Sequence, residues 1–187
     1  MSSSQLIDIL MLHPTVELSP TARDTGLEAK YEYKPLSNLI YTRDQQITTA
    51  KGIVMGRLQS NQRRREVELL SFCFKKLGKT RHSLDHEKFV CSGIPVLGSV
   101  ADPGYLEGGD FFPAGLDLCF IGVGLRSNYD ACQQLMDHDW LGTQCVAVVK
   151  DLFDQNQDRM HLDCVFNITG FDSCLMLEDR KSTRLNS

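Results

Sequence analysis

A short unit recurs along this 187-residue chain, and a recurring unit constrains a fold more than any single motif, because each copy must bury its apolar face against the next. Asn38 to Asp44 reads as a strand, and Ile47 to Leu58 holds a second, reached through a turn around Lys51-Gly52. Asn61 then stands where a helix would be capped. The apolar positions Val67, Leu70, Phe74 and Leu77 follow helical spacing, and Gly78 ends the run. The same order returns. Tyr105 to Phe112 reads as a strand, Pro113-Ala114-Gly115 as a turn and Leu116 to Gly124 as a buried strand, before Ser127 and Asp130 suggest a capping box opening a helix through Met136. Cys145 to Val149 is a β-branched strand. A third copy starts with a strand from His161 to Ile168, turns at Gly170 to Ser173, continues with Cys174 to Leu177, and stops without its helix.

Strand, strand, helix, strand thus repeats about every sixty residues, the signature of repeat architectures such as propellers with one small unit per blade. Polar residues fall at matching places. Asp44 ends the first strand of the first unit, Glu107 and Asp110 lie on that of the second, and His161 and Asp163 on that of the third. Arg63 and Arg126 each sit between a second strand and its helix. In a ring of such units, equivalent positions converge on the axis, which collects carboxylates, a histidine and two arginines in one pocket. Within the third unit, strand alternation would place the His161 imidazole and the Asp163 carboxylate on one face.

Composition excludes several classes of function. A net charge of -4, with Arg63-Arg64-Arg65 as the longest basic run, argues against nucleic acid as the main partner. The longest apolar stretches, such as Leu116 to Val123, are far too short to span a bilayer. Met1-Ser2-Ser3-Ser4-Gln5 lacks the basic start and apolar core of a secretory signal, so a cytoplasmic location is expected. The seven cysteines have no framework spacing and read as reduced, mostly buried thiols, with Cys73, Cys119 and Cys145 in the core. His82 and His86 have helical metal-ligand spacing, but the polar residues around them indicate an exposed segment, and no metal is expected.

The motifs Pro35-Leu36-Ser37-Asn38-Leu39-Ile40-Tyr41-Thr42-Arg43-Asp44, Arg63-Arg64-Arg65-Glu66, Leu106-Glu107-Gly108-Gly109-Asp110, Gly124-Leu125-Arg126-Ser127 and Met160-His161-Leu162-Asp163 occur in this order. Together they resemble arginine deiminase, of the guanidino-group modifying enzymes, over roughly Leu6 to Glu178. The resemblance implies a partial α/β propeller of the pentein type, with about three of five blades. It also implies hydrolysis of L-arginine to L-citrulline and ammonia in arginine catabolism, without cofactor, and a possible homo-oligomer when full length.

Such chemistry suits the residues. A guanidinium is planar, charged and rich in fixed N–H donors, so carboxylates that fork onto those donors can hold it. By resemblance Asp44 and Asp163 take that role, His161 moves protons with Glu107 as its orienting partner, and Asn38, Arg63 and Arg126 receive the substrate carboxylate. Three consecutive arginines leave Arg63 and Arg64 both open for one of these places. Other readings exist for single motifs: Glu107 to Asp110 as a tight turn with Asp110 capping local amides, Arg63 to Arg65 as a solvated helix start, and Asp44 paired with Arg43.

The resemblance also implies a cysteine nucleophile that forms a covalent amidino intermediate near the family's carboxyl terminus. None of the seven cysteines occupies such a motif, and Cys164 is expected to face away from Asp163. Residues 179–187 look like a translated sequencing adapter, so residues 1–178 are expected to form a truncated catalytic domain, inactive and poorly stable alone. A dimethylarginine hydrolase or amidinotransferase is the alternative within the fold. A non-catalytic binder of arginine or of a guanidinium peptide is the alternative outside enzymes.

Overall fold

The computed structural model describes residues 1–22, 26–78, 89–91, 93–115, 117–152 and 156–178; His82, His86 and the 179–187 tail lie outside them. Contacts divide the chain into two compact units, Met1–Ile40 and Tyr41–Ser187. The first was not anticipated as a separate unit. It opens with helix α1, Ser3–Leu12, closed at its start by a reciprocal capping box between Ser2 and Gln5. Strands β1, Pro14–Pro20, and β2, Leu27–Tyr33, then form an antiparallel hairpin. Asn38 lies beyond β2 in an irregular stretch, half-buried.

The second unit carries the repeat. In its first copy, β3, Gln46–Thr48, runs antiparallel to β4, Ile53–Met55. A 3-10 turn, Asn61–Arg63, leads into α2, Arg64–Gly78. Strand β5, Phe89–Cys91, is antiparallel to β6, Ile94–Ser99, and β6 lies parallel to β4, giving the order β3-β4-β6-β5. In the second copy, β7, Phe111–Pro113, is antiparallel to β8, Leu118–Val123; helix α3, Tyr129–Asp137, crosses over; and β9, Cys145–Lys150, runs parallel to β8. Parallel neighbours need such a crossover, and a helix supplies it in both copies. The third copy is the hairpin of β10, Phe166–Gly170, and β11, Ser173–Met176. None of the four sheets formed by the described residues closes on itself.

Several boundaries differ from the sequence reading. Asn38 to Asp44 is not a strand but irregular chain and turns. The expected strand from Tyr105 is broken by a 3-10 turn at Gly108–Asp110, and that from His161 by another at Leu162–Cys164. Asn61 opens a 3-10 turn rather than capping α2. Asn128, not Ser127, caps α3, its side chain accepting from the Ala131 amide.

Strand β4 shows why an apolar run marks a buried strand. Val54 joins a core with Ile47, Leu106, Ile121, Cys132 and Leu135. Its neighbours Ile53 and Met55 face the other way, onto a second cluster with Val96. Val67, Leu70 and Phe74 of α2 pack on that second cluster, as their spacing predicts. Leu77, the fourth apolar position, is 58% exposed. Leu135→Ala, at a side chain fully buried, is therefore expected to lower the unfolding free energy by about 2–5 kcal/mol in a urea titration. Leu77→Ala is expected to change it by about 0.5 kcal/mol or less, and equal losses would contradict this packing.

Candidate active site

Turns of the second unit bring five polar side chains together. Asp44 ends the turn that begins at Tyr41, whose carbonyl accepts from the Asp44 amide. Its Oδ2 accepts from Arg63 Nη1 at 2.9 Å, so Asp44 pairs with Arg63 and not with Arg43. Arg43 donates instead to the Gly108 and Phe111 carbonyls. Arg63 also contacts Glu66 through Nε and Nη2, at 3.0 Å for the latter, and its Nη1 lies 3.8 Å from Glu107 Oε2. The neighbouring Arg64 donates to the Leu58 carbonyl. Arg63, rather than Arg64, is thus the arginine placed in the cluster.

Glu107 is fully buried at the start of the Gly108–Asp110 turn. One of its oxygens accepts from the Gln59 amide and the other meets His161 Nε2 at 2.8 Å. On the far side of the ring, Nδ1 lies 4.0 Å from Asp163 Oδ1. His161 and Asp163 face one region because a 3-10 turn starts between them, not because a strand alternates. Two glycines make the approach possible. A Cβ on Gly109 would lie 2.8 Å from the His161 ring, and one on Gly108 would lie 1.8 Å from the Arg43 carbonyl oxygen, distances no side chain can occupy.

One buried residue of the cluster, Glu66, carried no assigned role in the sequence. Glu66, fully buried, accepts from Gln45 Nε2 at 2.6 Å as well as from Arg63; its place directly after the arginine run was the available signal. Asp110 caps no local amide. Its Oδ1 accepts from the Leu162 amide, far along the chain, and its Oδ2 from the Ser127 hydroxyl. Arg126 sits in the bend before Ser127, half-buried, and its Nε is buried without a hydrogen-bond partner among the described residues. Asn38 belongs to the first unit, and the residues of this cluster all belong to the second.

The thiols are placed differently from expectation. Cys119 and Cys132 are buried, but Cys73, Cys145, Cys164 and Cys174 are exposed. Cys164 does not turn away from Asp163: its Sγ lies 3.7 Å from Asp163 Oδ1. Partial desolvation of this otherwise exposed side chain, with that carboxylate beside it, pushes the Cys164 thiol above its ordinary value, which is the wrong direction for a thiolate nucleophile.

Burial opposes charge throughout the cluster, and contacts decide the outcome. For His161, burial lowers the pKa, but the Glu107 hydrogen bond and the charges of Asp110, Asp44 and Glu107 more than offset it, and the net shift is upward from 6.5. For Arg63, burial likewise lowers and the Glu66 and Asp44 hydrogen bonds raise, with a net rise. Asp110 is pushed up from 3.8 to about 6 by burial, against the hydrogen bonds from Ser127 and Leu162. Ligand atoms of Asp44, Glu107 and His161 lie within 4.8 Å of one another, a spacing that suits a cation. The Arg63 guanidinium already brings positive charge to the same carboxylates.

Comparison with known proteins bears directly on this cluster. The family model described as arginine deiminase matches residues 5–182. The chain belongs to the arginine deiminase family. It is 26% identical over 179 residues to arginine deiminase of Staphylococcus haemolyticus (strain JCSC1435), covering 92% of this chain and 41% of that protein. It is 28% identical over 183 residues to arginine deiminase of Staphylococcus aureus (strain JH9), covering 94% and 42%. The chain therefore spans about two fifths of the length of these curated relatives. Among solved structures it is similar to the N-terminal domain of ArgZ, an arginine dihydrolase from cyanobacteria, with TM-score 0.56, 21% identity, and coverage of 79% of this chain and 48% of that one. It is also similar to a dimethylarginine dimethylaminohydrolase, with TM-score 0.55, 18% identity, and coverage of 75% and 48%. At these identities the two structures establish a shared mixed α/β fold of the pentein type.

The buried cluster of this arginine deiminase family chain couples stability to pH. Folded His161 holds its proton more tightly than the unfolded chain does, so its contribution is complete below about pH 6.5 and is lost as pH rises through the higher folded value. Asp110 acts in a lower window: between pH 3.8 and about 6 the folded chain keeps a proton that the unfolded chain has released, so stability again falls as pH rises. Urea titrations across pH should show both declines. His161→Gln should flatten the upper one and Asp110→Asn the lower one; unchanged profiles would refute the assignments.

Proposed function

We propose that this chain carries the guanidinium-binding and acid/base half of an arginine deiminase, hydrolysing L-arginine to L-citrulline and ammonia in arginine catabolism. The observation that carries the reading is the Arg63 guanidinium held by Asp44 and Glu66 beside the Glu107–His161 pair. The cluster already accommodates the chemical group that the substrate would present. Among the described residues the carboxylates of Asp44, Glu66, Glu107 and Asp163 outnumber the Arg63 and His161 groups that they lie against, which favours a further cation. Asp44 and Asp163 would fork onto the substrate guanidinium. His161, whose hold on its proton the Glu107 hydrogen bond strengthens, would protonate departing ammonia and then take a proton from the attacking water.

The substrate carboxylate needs donors. Arg126 offers a buried Nε with no partner, and an unmet buried donor costs about 1–3 kcal/mol that a bound carboxylate would recover. Arg63 retains one N–H on each terminal nitrogen after its bonds to Asp44 and Glu66. Asn38 is assigned the same task by the family resemblance. The Cys164 pKa is shifted upward and no other cysteine is placed at the cluster among the described residues, so no thiol nucleophile is assigned among them. By the family resemblance the three repeats would be successive blades of a five-bladed α/β propeller.

Calorimetric titration of the chain with L-arginine tests the binding half. Saturable binding is expected, with at least a tenfold loss in Asp44→Ala and in Asp163→Ala, or about 1.4 kcal/mol or more. Binding untouched by both substitutions would place the ligand elsewhere and sink the proposal. In a version extended by the carboxyl-terminal portion of a relative, Cys164→Ser should leave citrulline formation unchanged; loss of turnover would make Cys164 the nucleophile. Preference for methylated arginine over arginine in the same titration would favour a dimethylarginine hydrolase instead.

A further inference from the structure

Glu107 and His161 meet across a long interval of sequence, and the backbone segments that carry them need something to hold them in register. Among the described residues, the side-chain bridge between the two turns, apart from the pair itself, runs through Asp110. Its Oδ1 accepts from the Leu162 amide at 2.8 Å, the first peptide after His161, and its Oδ2 accepts from the Ser127 hydroxyl at 2.6 Å. Ser127 completes the circuit, because its Oγ accepts from the Glu107 amide at 3.2 Å. Asp110 is 4% exposed and Ser127 fully buried, so water does not compete for these bonds. Gly122 on β8 makes room for the carboxylate: a Cβ there would lie 2.5 Å from Asp110 Oδ1.

We propose that Asp110 and Ser127 are positioning residues that clamp the Glu107 turn to the His161 turn, and so set the contact that charges the imidazole. This rests on reading His161 as the proton-transfer group. Neither residue is placed against the substrate. A buried carboxylate is costly unless its oxygens are satisfied, and here each oxygen has one donor: the Leu162 amide of the His161 turn on one, and on the other the Ser127 hydroxyl, which in turn holds the Glu107 amide. The Ser127 hydroxyl is suited to the link because it donates to one partner while accepting from the other. The arrangement also brings in Arg126, which is fixed one residue before Ser127, so the same clamp would set where the unpartnered Nε lies.

The test is an NMR titration of the imidazole in the full 187-residue chain, with His161→Gln to assign its resonance. Ser127→Ala keeps every ionisable group near His161 and removes the hydroxyl that joins Asp110 to the Glu107 amide. Because that hydroxyl also holds the Asp110 pKa down, Asp110→Asn is read beside it, and a His161 shift no larger than that of Asp110→Asn would reflect lost charge alone and overturn the clamp. The His161 pKa is expected to move down toward 6.5, and the Leu162 amide proton to lose its carboxylate-bonded downfield shift. Leu135→Ala, which weakens the apolar core but removes none of these bonds, should move neither. Should Ser127→Ala fail to fold, Ser127→Cys, nearly the same size with a weaker donor, carries the same measurement. An unchanged His161 titration in a folded Ser127 variant would overturn the clamp. If the titration shifts as expected while L-arginine fails to bind the wild-type chain, the clamp stands and the deiminase reading falls.

Discussion

The contact between Glu107 and His161 governs the organisation of the second unit around it. A fully buried carboxylate cannot stay ionised without partners, and Glu107 finds them in the imidazole, in the Gln59 amide and, further away, in Arg63. His161 is itself buried and Arg63 largely so, and both require their own compensation. Arg63 recruits Asp44 and Glu66, Glu66 recruits Gln45, and the peptide beside His161 is tied to Asp110 and through it to Ser127. What results is a connected network rather than a set of separate ion pairs, and in such a network the loss of one member leaves others unsatisfied.

The repeat explains why the network can form. Each copy turns an antiparallel hairpin into a parallel pair by way of a helix, β3-β4-α2-β6 and then β7-β8-α3-β9. The core beneath is continuous, with Ile47 and Val54 from the first copy packing with Phe111, Ile121 and Leu135 from the second. Turns at corresponding places therefore meet above a shared apolar floor. Gly108 and Gly109 let one turn press against another, so that backbone and ring approach to distances that exclude any side chain.

Much of this was legible in the sequence, and the exceptions have common causes. The spacing of Val67, Leu70 and Phe74 identified α2 and its buried face, and the apolar runs around Val54 and Ile121 identified buried strands, because burial on a regular element imposes a period. The errors fall where function places polar residues. Asp44, Glu107 and His161 all lay on expected strands and all sit at turns or beside 3-10 segments. His161 and Asp163, two residues apart, satisfy strand alternation by number alone, and nothing in four residues distinguishes that from a short turn. Ser127 passed for a helix cap because a hydroxyl beside a helix start is the usual local signal; its partners, Asp110 and the Glu107 amide, are distant in sequence.

The sequence by itself determined the repeated unit, its two crossover helices, the apolar face of α2, the acidic balance and the residue types gathered for guanidinium chemistry. These follow from local periodicity and side-chain chemistry. Only the tertiary structure decided that Arg63 and not Arg64 enters the cluster, that Asp44 pairs with Arg63 and not with Arg43, and that Asp110 holds the chain beside His161. Those choices depend on which buried donor meets which buried acceptor across long loops, and no local pattern records that pairing.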